Sequence, residues 1–277
     1  VNGQKLWNTS AHHADYGILL ARTDWDVPKH RGLTYFVLPM KQPGVEVRPL
    51  RQMNGYNSFN EVFMSDARIP ADHVVGEIGD GWRVALTTLA FERRFGAMGR
   101  PRIPDTDQRA HVEARAEADE HYRTYEWYPQ RAGRVDLLVE RARAAGLDQD
   151  PRVRQRLAEV IAMQLVSQWT ADRARAARAL GRAPGAEGSI GKLALSRISR
   201  DAGALHGHLA GASGTLSGED APLDGTITEI LISVPAQSIA GGTDEIQKNI
   251  LGERILGLPR EPTTDTDRAF REVPKNL

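Results

Sequence analysis

The stretch "SIAGGTDEIQKNILGERILGLP", residues 238–259, has the composition of a helix start that holds an anion. Two glycines and Thr243 lead into Asp244, Glu245 and Gln247, and an apolar stripe follows. Thr243 alone is a good N-cap, and the free N–H groups of such a start favour negative charge. It is not a Walker A loop, because no Gly-Lys-Ser/Thr follows. A second candidate is Glu92 in "LAFERR". Taken alone, a helical Glu beside arginines reads as an exposed, ion-paired side chain. His12-His13 and His206-x-His208 are metal ligands by type. His206 and His208 point to different helix faces, however, and no carboxylate spacing supports them, so no metal site is expected. The run "EARAEADEH" (113–121) reads as a wet helix face rather than a cation site.

Composition narrows the chemistry further. The 277 residues suffice for one large domain or two modest ones. With 36 basic and 36 acidic side chains, the chain has no general attraction for nucleic acid or anionic membrane. Phosphate binding must therefore be local. The absence of cysteine excludes disulfides, Cys-zinc sites, iron–sulfur clusters and thiol nucleophiles. No apolar run is long enough for a membrane span. The opening "VNGQKLWNTS" has neither Met nor a signal-like region and reads as a continuation of something earlier; a cytoplasmic location is expected.

The elements that must position these residues fall into two kinds. "YGILLART" (16–23), "LTYFVLPM" (33–40), "VEVRPLR" (45–51) and "FNEVFMSDARIP" (59–70) read as strands separated by turns, which predicts an antiparallel sandwich or barrel. From "GDGW" (79–82) the period becomes helical, with Leu86, Leu89, Ala90 and Ala97 near one face. Residues 149–169 offer Asp150 as N-cap and Pro151 as first helical residue, with Val153, Leu157, Val160, Ile161 and Leu165 as a stripe that stops near Gly181. Further helices are expected over 189–211 and 244–256. The prediction is α+β: a partial β domain over 1–76, a helical (four-helix) bundle over 77–262, and a tail over 263–277. Residues 100–135 read as a charged, solvated insertion with one short exposed helix.

Five segments in order then carry a resemblance: "NGQKLWNTSAHHADYGILLART", "HRGLTYFVLPM", "PGVEVRPLRQM", "FNEVFMSDARIPADHVVGEIGDGWRVALTTLAFER" and "IAGGTDEIQKNILGERILGLPRE". Together they resemble a flavin-dependent acyl-CoA dehydrogenase, over residues 1–98 and 146–277. The likeness is to the central β domain and the C-terminal helical domain. The family's N-terminal helical domain and its early "TEPxAGSD" loop are not in these residues. The implied reaction is α,β-dehydrogenation of an acyl-CoA thioester: a carboxylate takes the α proton and hydride leaves the β carbon for flavin N5. Such a site needs fixed donors at the enolate-like oxygen and a base of raised pKa.

The resemblance assigns residues unevenly. Many members carry the base just before the Gly-Thr of the late turn, where this chain has Gly241. Others, of isovaleryl and long-chain type, carry it on the first C-terminal-domain helix, which here is Glu92. Gly241 leaves room for a bulky acyl group and offers its N–H to the thioester carbonyl, and Arg93 matches an arginine near substrate. "LWNTS" resembles the W-x-T/S motif, assigning Trp7 and Thr9 to flavin and Ser10 to the neighbourhood of substrate. Gly242, Thr243, Glu245 and Gln247 would meet FAD. The family's R-x-x-F-G motif is replaced by "GLDQDPRVRQ", and Q-x-x-G-G-x-G by "LHGHLAGASGTL" (205–216), with Gly211 and Gly214 kept. Implied partners are an acyl-CoA, an electron-transfer flavoprotein and a second chain in a homo- or hetero-dimer or tetramer. Two rivals remain: a non-catalytic partner subunit, and a flavin monooxygenase on the same fold, against which Glu92 argues.

Overall fold

In a computed structural model the chain is described over residues 1–96, 103–123, 129–182, 185–186, 188–263 and 265–274, with the side chains at 93–96, 119–123 and 129 outside that description. The expectations for Ala97 and for parts of the 100–135 insertion lie outside the described residues. Two compact units emerge. The first joins Val1–Glu126 to Glu261–Leu277, and the second is Trp127–Arg260.

The first unit begins with strands β1 (Gly3–Thr9), β2 (Tyr16–Arg22), β3 (Leu33–Pro39), β4 (Val45–Leu50), β5 (Phe59–Met64) and β6 (Val74–Val75). They form two three-stranded antiparallel sheets, ordered β1-β5-β4 and β2-β3-β6. Alternation explains the pairing. Leu19 and Leu38 point inward from one sheet, Val62 and Met64 from the other, and Ala11, Met40 and Ala67 complete the core. The four strands expected from sequence are present. Strand β1 is an addition to them: its pairing with β5 shifts register between Lys5 and Asn8, which breaks the two-residue period.

Helix α1 (Gly81–Gly96) belongs to this unit, as do α2 (Arg109–Arg123) and the C-terminal tail. The period change at 79–82 marks the start of α1, but the helix groups with the strands and not with the later helices. Gly81 makes that possible: a Cβ there would lie 2.5 Å from the Thr34 carbonyl carbon, so only glycine lets α1 start this close to β3. Tyr35 Oη on β3 then donates to Thr88 Oγ1 on α1 at 3.3 Å.

The second unit holds α3 (Leu138–Ala144), α4 (Pro151–Ala179), α5 (Gly188–Ala210), α6 (Thr226–Ser233) and α7 (Asp244–Arg254). Asp150 caps α4 as expected, accepting from the N–H of Arg152 and Val153. Helix α5 is the hub, with α3, α4, α6 and α7 packed on it. Its Ile198, Ala202, Leu205 and Leu209 join Leu138, Ala142, Val153 and Val160 in one core. Helices α3 and α6 go beyond the sequence expectation. The first is only two turns, and "TITEILIS" of α6 is β-branched; burial of Ile227 and Ile230 overrides that propensity. Among the described residues no helix is long and apolar enough to cross a membrane.

Candidate functional site

The site residues expected from sequence divide between the two units. In the first, Trp7 sits at the register shift of β1 with φ +64°, and Ser10, just past the strand, has φ +55°. Such conformations cost a non-glycine residue on the order of 1 kcal/mol or more. They persist here because the surroundings hold them. Asn60, fully buried, donates from Nδ2 to the Asn8 carbonyl at 2.9 Å and meets His12 Nδ1 through Oδ1 at 3.0 Å. The Ser10 N–H donates to the Ser58 carbonyl at 2.8 Å. The result is an indole that is 63% exposed and touched edge-on by Phe59, ring centroids 5.8 Å apart. Thr9 is exposed beside it. A bulge re-aims the side chains around it, and here the indole points away from the core.

Glu92 lies on the exposed side of α1 and lines an open groove of about 620 Å³ with Arg83, Val84, Thr87, Thr88 and Phe91. It is the carboxylate of that lining. Trp7 does not line this groove. The side chain of Arg93 lies outside the described residues.

In the second unit, Gly241 (φ +66°) and Gly242 (φ +91°) form a left-handed turn into α7. Thr243 caps the helix, its Oγ1 accepting from the Ile246 N–H at 3.3 Å. A Cβ at Gly242 would meet Gln247 Nε2 at 2.5 Å, whereas a Cβ at Gly241 would meet nothing within 4 Å. Gln247 is buried (2% exposed) and donates from Nε2 to the Gly241 carbonyl at 3.0 Å. Its side chain therefore holds the turn from beneath. The N–H groups of Gly241 and Gly242 have no partner among the described residues. Glu245 is exposed, and its own backbone N–H and the Thr243 hydroxyl hold its carboxyl below the usual range. The helix start thus carries its own anion.

Beneath that turn is a group that sequence spacing does not reveal. Asp244 is 6% exposed. Its Oδ1 accepts from Lys192 Nζ on α5 at 2.7 Å and lies 2.7 Å from the Ser196 hydroxyl, which also reaches the Gln237 carbonyl at 2.7 Å. Burial alone would raise the Asp244 pKa. The hydrogen bonds from Lys192 and Ser196 and the charge of Lys192 outweigh it and hold the carboxyl at about 2. Residues 192 and 244 share no helix and no period, so only the fold brings them together. Among the described residues no group of three or more His, Asp or Glu could hold a metal ion.

Comparison with known proteins gives this arrangement a lineage. Residues 1–67 match the acyl-CoA dehydrogenase middle domain, and residues 133–256 match the acyl-CoA dehydrogenase C-terminal domain. The acyl-CoA dehydrogenase IpdE1 of Mycolicibacterium smegmatis is 38% identical over 94% of this chain and 58% of its own length. Among solved structures, the ChsE4-ChsE5 complex from Mycobacterium tuberculosis has a chain that superposes with a TM-score of 0.70, at 26% identity, covering 94% of this chain and 62% of that one. A variant of the Tcur3481-Tcur3483 steroid ACAD superposes with a TM-score of 0.72, at 25% identity, over 94% of this chain and 61% of that one. The chain thus spans about three fifths of the length of these relatives. With both domain models matched in order, the chain belongs to the acyl-CoA dehydrogenase family.

Proposed function

We propose that this chain takes part in FAD-dependent α,β-dehydrogenation of an acyl-CoA thioester, with Glu92 as the base. The observation that carries the reading is a pair. Glu92 is the carboxylate on the α1 groove, and the late turn, where many family members place their acid, has a glycine at 241 with open space where a side chain would start. One acid is needed for the α proton, and among the described lining residues one is offered. Glu92 is exposed in the chain alone. A bound thioester and flavin would cover it, and that loss of water raises the affinity of a carboxylate for the proton it takes.

The residues present fit FAD. Trp7 is held outward at a strained φ by Asn60, a placement suited to stacking beside a flat ring system, and Thr9 brings a hydroxyl to the same edge. The turn at Gly242 and Thr243 would offer a diphosphate a helix start and the Gly242 N–H, which has no partner among the described residues. Glu245 would give up its place there, while Gln247 keeps the turn in shape. Gly241 would serve the substrate side, its N–H being free to donate to a thioester carbonyl. Bound FAD would supply the hydride acceptor. An electron-transfer flavoprotein is the expected electron acceptor, and likeness to a steroid ACAD suggests a bulky polycyclic acyl group.

A second reading is a non-catalytic partner of another dehydrogenase chain. It is favoured by the relative described as a two-protein complex and by an apolar stripe left open on α4, comprising Ile161, Leu165, Val166 and Trp169. Purification separates the two. A yellow chain with a flavin spectrum, whose turnover of acyl-CoA to enoyl-CoA collapses in Glu92→Gln, supports catalysis. If the complex with a second chain is active and Glu92→Gln leaves its rate unchanged, Glu92 is not the base.

A further inference from the structure

Chain ends are ordinarily loose unless something ties them, and the C-terminal segment of this protein is tied along its length to one loop. Asp265 pairs with Lys29 Nζ at 2.8 Å. Ala269 forms an antiparallel bridge with Pro28. The N–H groups of Phe270 and Arg271 donate to the carbonyls of Val27 (3.0 Å) and Trp25 (3.1 Å), and the Arg271 side chain pairs with Asp26. The Phe270 ring meets Trp25 at 5.4 Å and lies 3.5 Å from the guanidinium of Arg22. That guanidinium in turn donates to the carbonyls of Asp24 (3.2 Å) and Lys29 (2.7 Å), so the loop is built around it. No described residue of the segment is fully buried. Hydrophobic burial alone therefore does not hold it. Many weak, directional contacts do, which makes the docking specific and reversible.

The same loop, with the first residue of β3, reaches the start of α1. Leu33 bridges to Asp80, the Arg31 carbonyl lies against Gly79, and the His30 ring stacks on Trp82 at 4.4 Å with an interplanar angle of 3°. The Asp80 carbonyl receives the N–H groups of Arg83 (3.1 Å) and Val84 (3.3 Å), and its carboxylate takes Arg83 Nε at 2.8 Å. Arg83 and Val84 line the Glu92 groove. We propose that residues 265–272 are a strap that positions the first turn of α1 through loop 23–32, with Asp265 and Phe270 as its grips and the His30–Trp82 stack as its contact with the helix. The consequence for substrate rests on the reading of Glu92; the strap itself does not.

Hydrogen exchange on the full chain tests it. In the Asp265→Asn/Phe270→Ala double variant, the Arg83 and Val84 amides should exchange about tenfold faster, while the β2–β3 ladder and α5 keep their rates. Phe270→Tyr should keep the parent pattern. His30→Ala should loosen Arg83 and Val84 while the Phe270 and Arg271 amides stay protected, which marks the route. Turnover by the double variant should show KM for acyl-CoA raised about fivefold with kcat within twofold, as for lost positioning of the groove and not of the base. The proposal falls if the Phe270 and Arg271 amides open while Arg83 and Val84 do not change. It falls equally if the whole first unit loosens together. A Glu92→Gln enzyme of normal rate would sink the assignment of the base and leave the exchange pattern standing.

Discussion

The two groups of candidate residues, one in each unit, are built in opposite ways. On α1, Glu92 stands on an open groove wall among Thr87, Thr88 and Phe91, on the exposed side of the helix. At α7, the turn of Gly241 and Gly242 rests on a buried lattice: Gln247 under the glycines, Asp244 under Thr243, Lys192 and Ser196 under Asp244. One half is chemically available and structurally idle. The other is structurally committed and offers mainly backbone N–H groups. A general base must exchange a proton and meet its substrate, whereas a cofactor cradle must not move. The contrast predicts that substitutions on α1 change rate and spare stability, and that substitutions under α7 do the reverse.

The largest effect should come from the available half. On the proposed role of Glu92, Glu92→Gln would remove the acceptor for the α proton while keeping shape, and should lower turnover by about 10³-fold. As an exposed substitution it should leave ΔG of unfolding within about 0.5 kcal/mol. Stopped-flow bleaching of the flavin and a urea melt check both sides. A large loss of stability in Glu92→Gln would break the comparison at once.

Beneath α7 the order reverses. Asp244→Ala leaves Lys192 partly buried with no carboxylate and Ser196 with one partner fewer, and should cost about 3–4 kcal/mol. Acid should do the same reversibly. The folded pKa of Asp244, about 2, is below the ordinary 3.8. The stability it contributes is therefore fully present above about pH 4 and is lost as pH falls towards 2. Thermal melts of wild type against Asp244→Asn across that window should converge at the acid end. Convergence already at pH 6 would mean that the pair carries nothing.

The two glycines sharpen the point within a single turn. Gly242→Ala must take φ +91° and push the Gln247 amide away from the Gly241 carbonyl, so about 2 kcal/mol should be lost through strain and the displaced hydrogen bond. Gly241→Ala has strain but no clash and should cost about 1 kcal/mol. If Gly241 faces the acyl group, its alanine variant should raise KM for bulky thioesters more than for short ones, a split that calorimetry and steady-state kinetics together resolve.

Sequence makes much of the first contrast legible and little of the second. Alternation in "LTYFVLPM" and the Asp150–Pro151 start of α4 are local signals, and the fold follows them. The Gly-Gly-Thr turn is also readable as a short segment, whereas Glu92 stands out only through the family resemblance. The bulge at Trp7 is not, because a register shift is a property of two strands. Nor is the Lys192–Asp244 pair, whose members are joined only by α5 meeting α7, nor the grip of Phe270 on Arg22 from the far end of the chain. Gln247 shows a role that spacing does not reveal: buried under Gly242, it gives one N–H of its amide to the Gly241 carbonyl.

The most local expected effect concerns His206, fully buried on α5 with Nε2 3.1 Å from the Arg134 carbonyl and no partner for Nδ1 among the described residues. Burial, and after it the charge of Arg141, pushes its pKa below 6.5. The folded state then binds fewer protons than the unfolded chain as pH drops below about 6.5. Stability is therefore full above that point and declines below it, by at most about 1.4 kcal/mol per pH unit. His206→Gln should flatten the dependence between pH 6.5 and 5 for exchange in α5, where the imidazole sits, and leave the β2–β3 ladder untouched. An equal flattening in both units would mean that the titration being followed belongs to the unfolded chain, and the contrast between a committed helical unit and an available α1 groove would lose its electrostatic support.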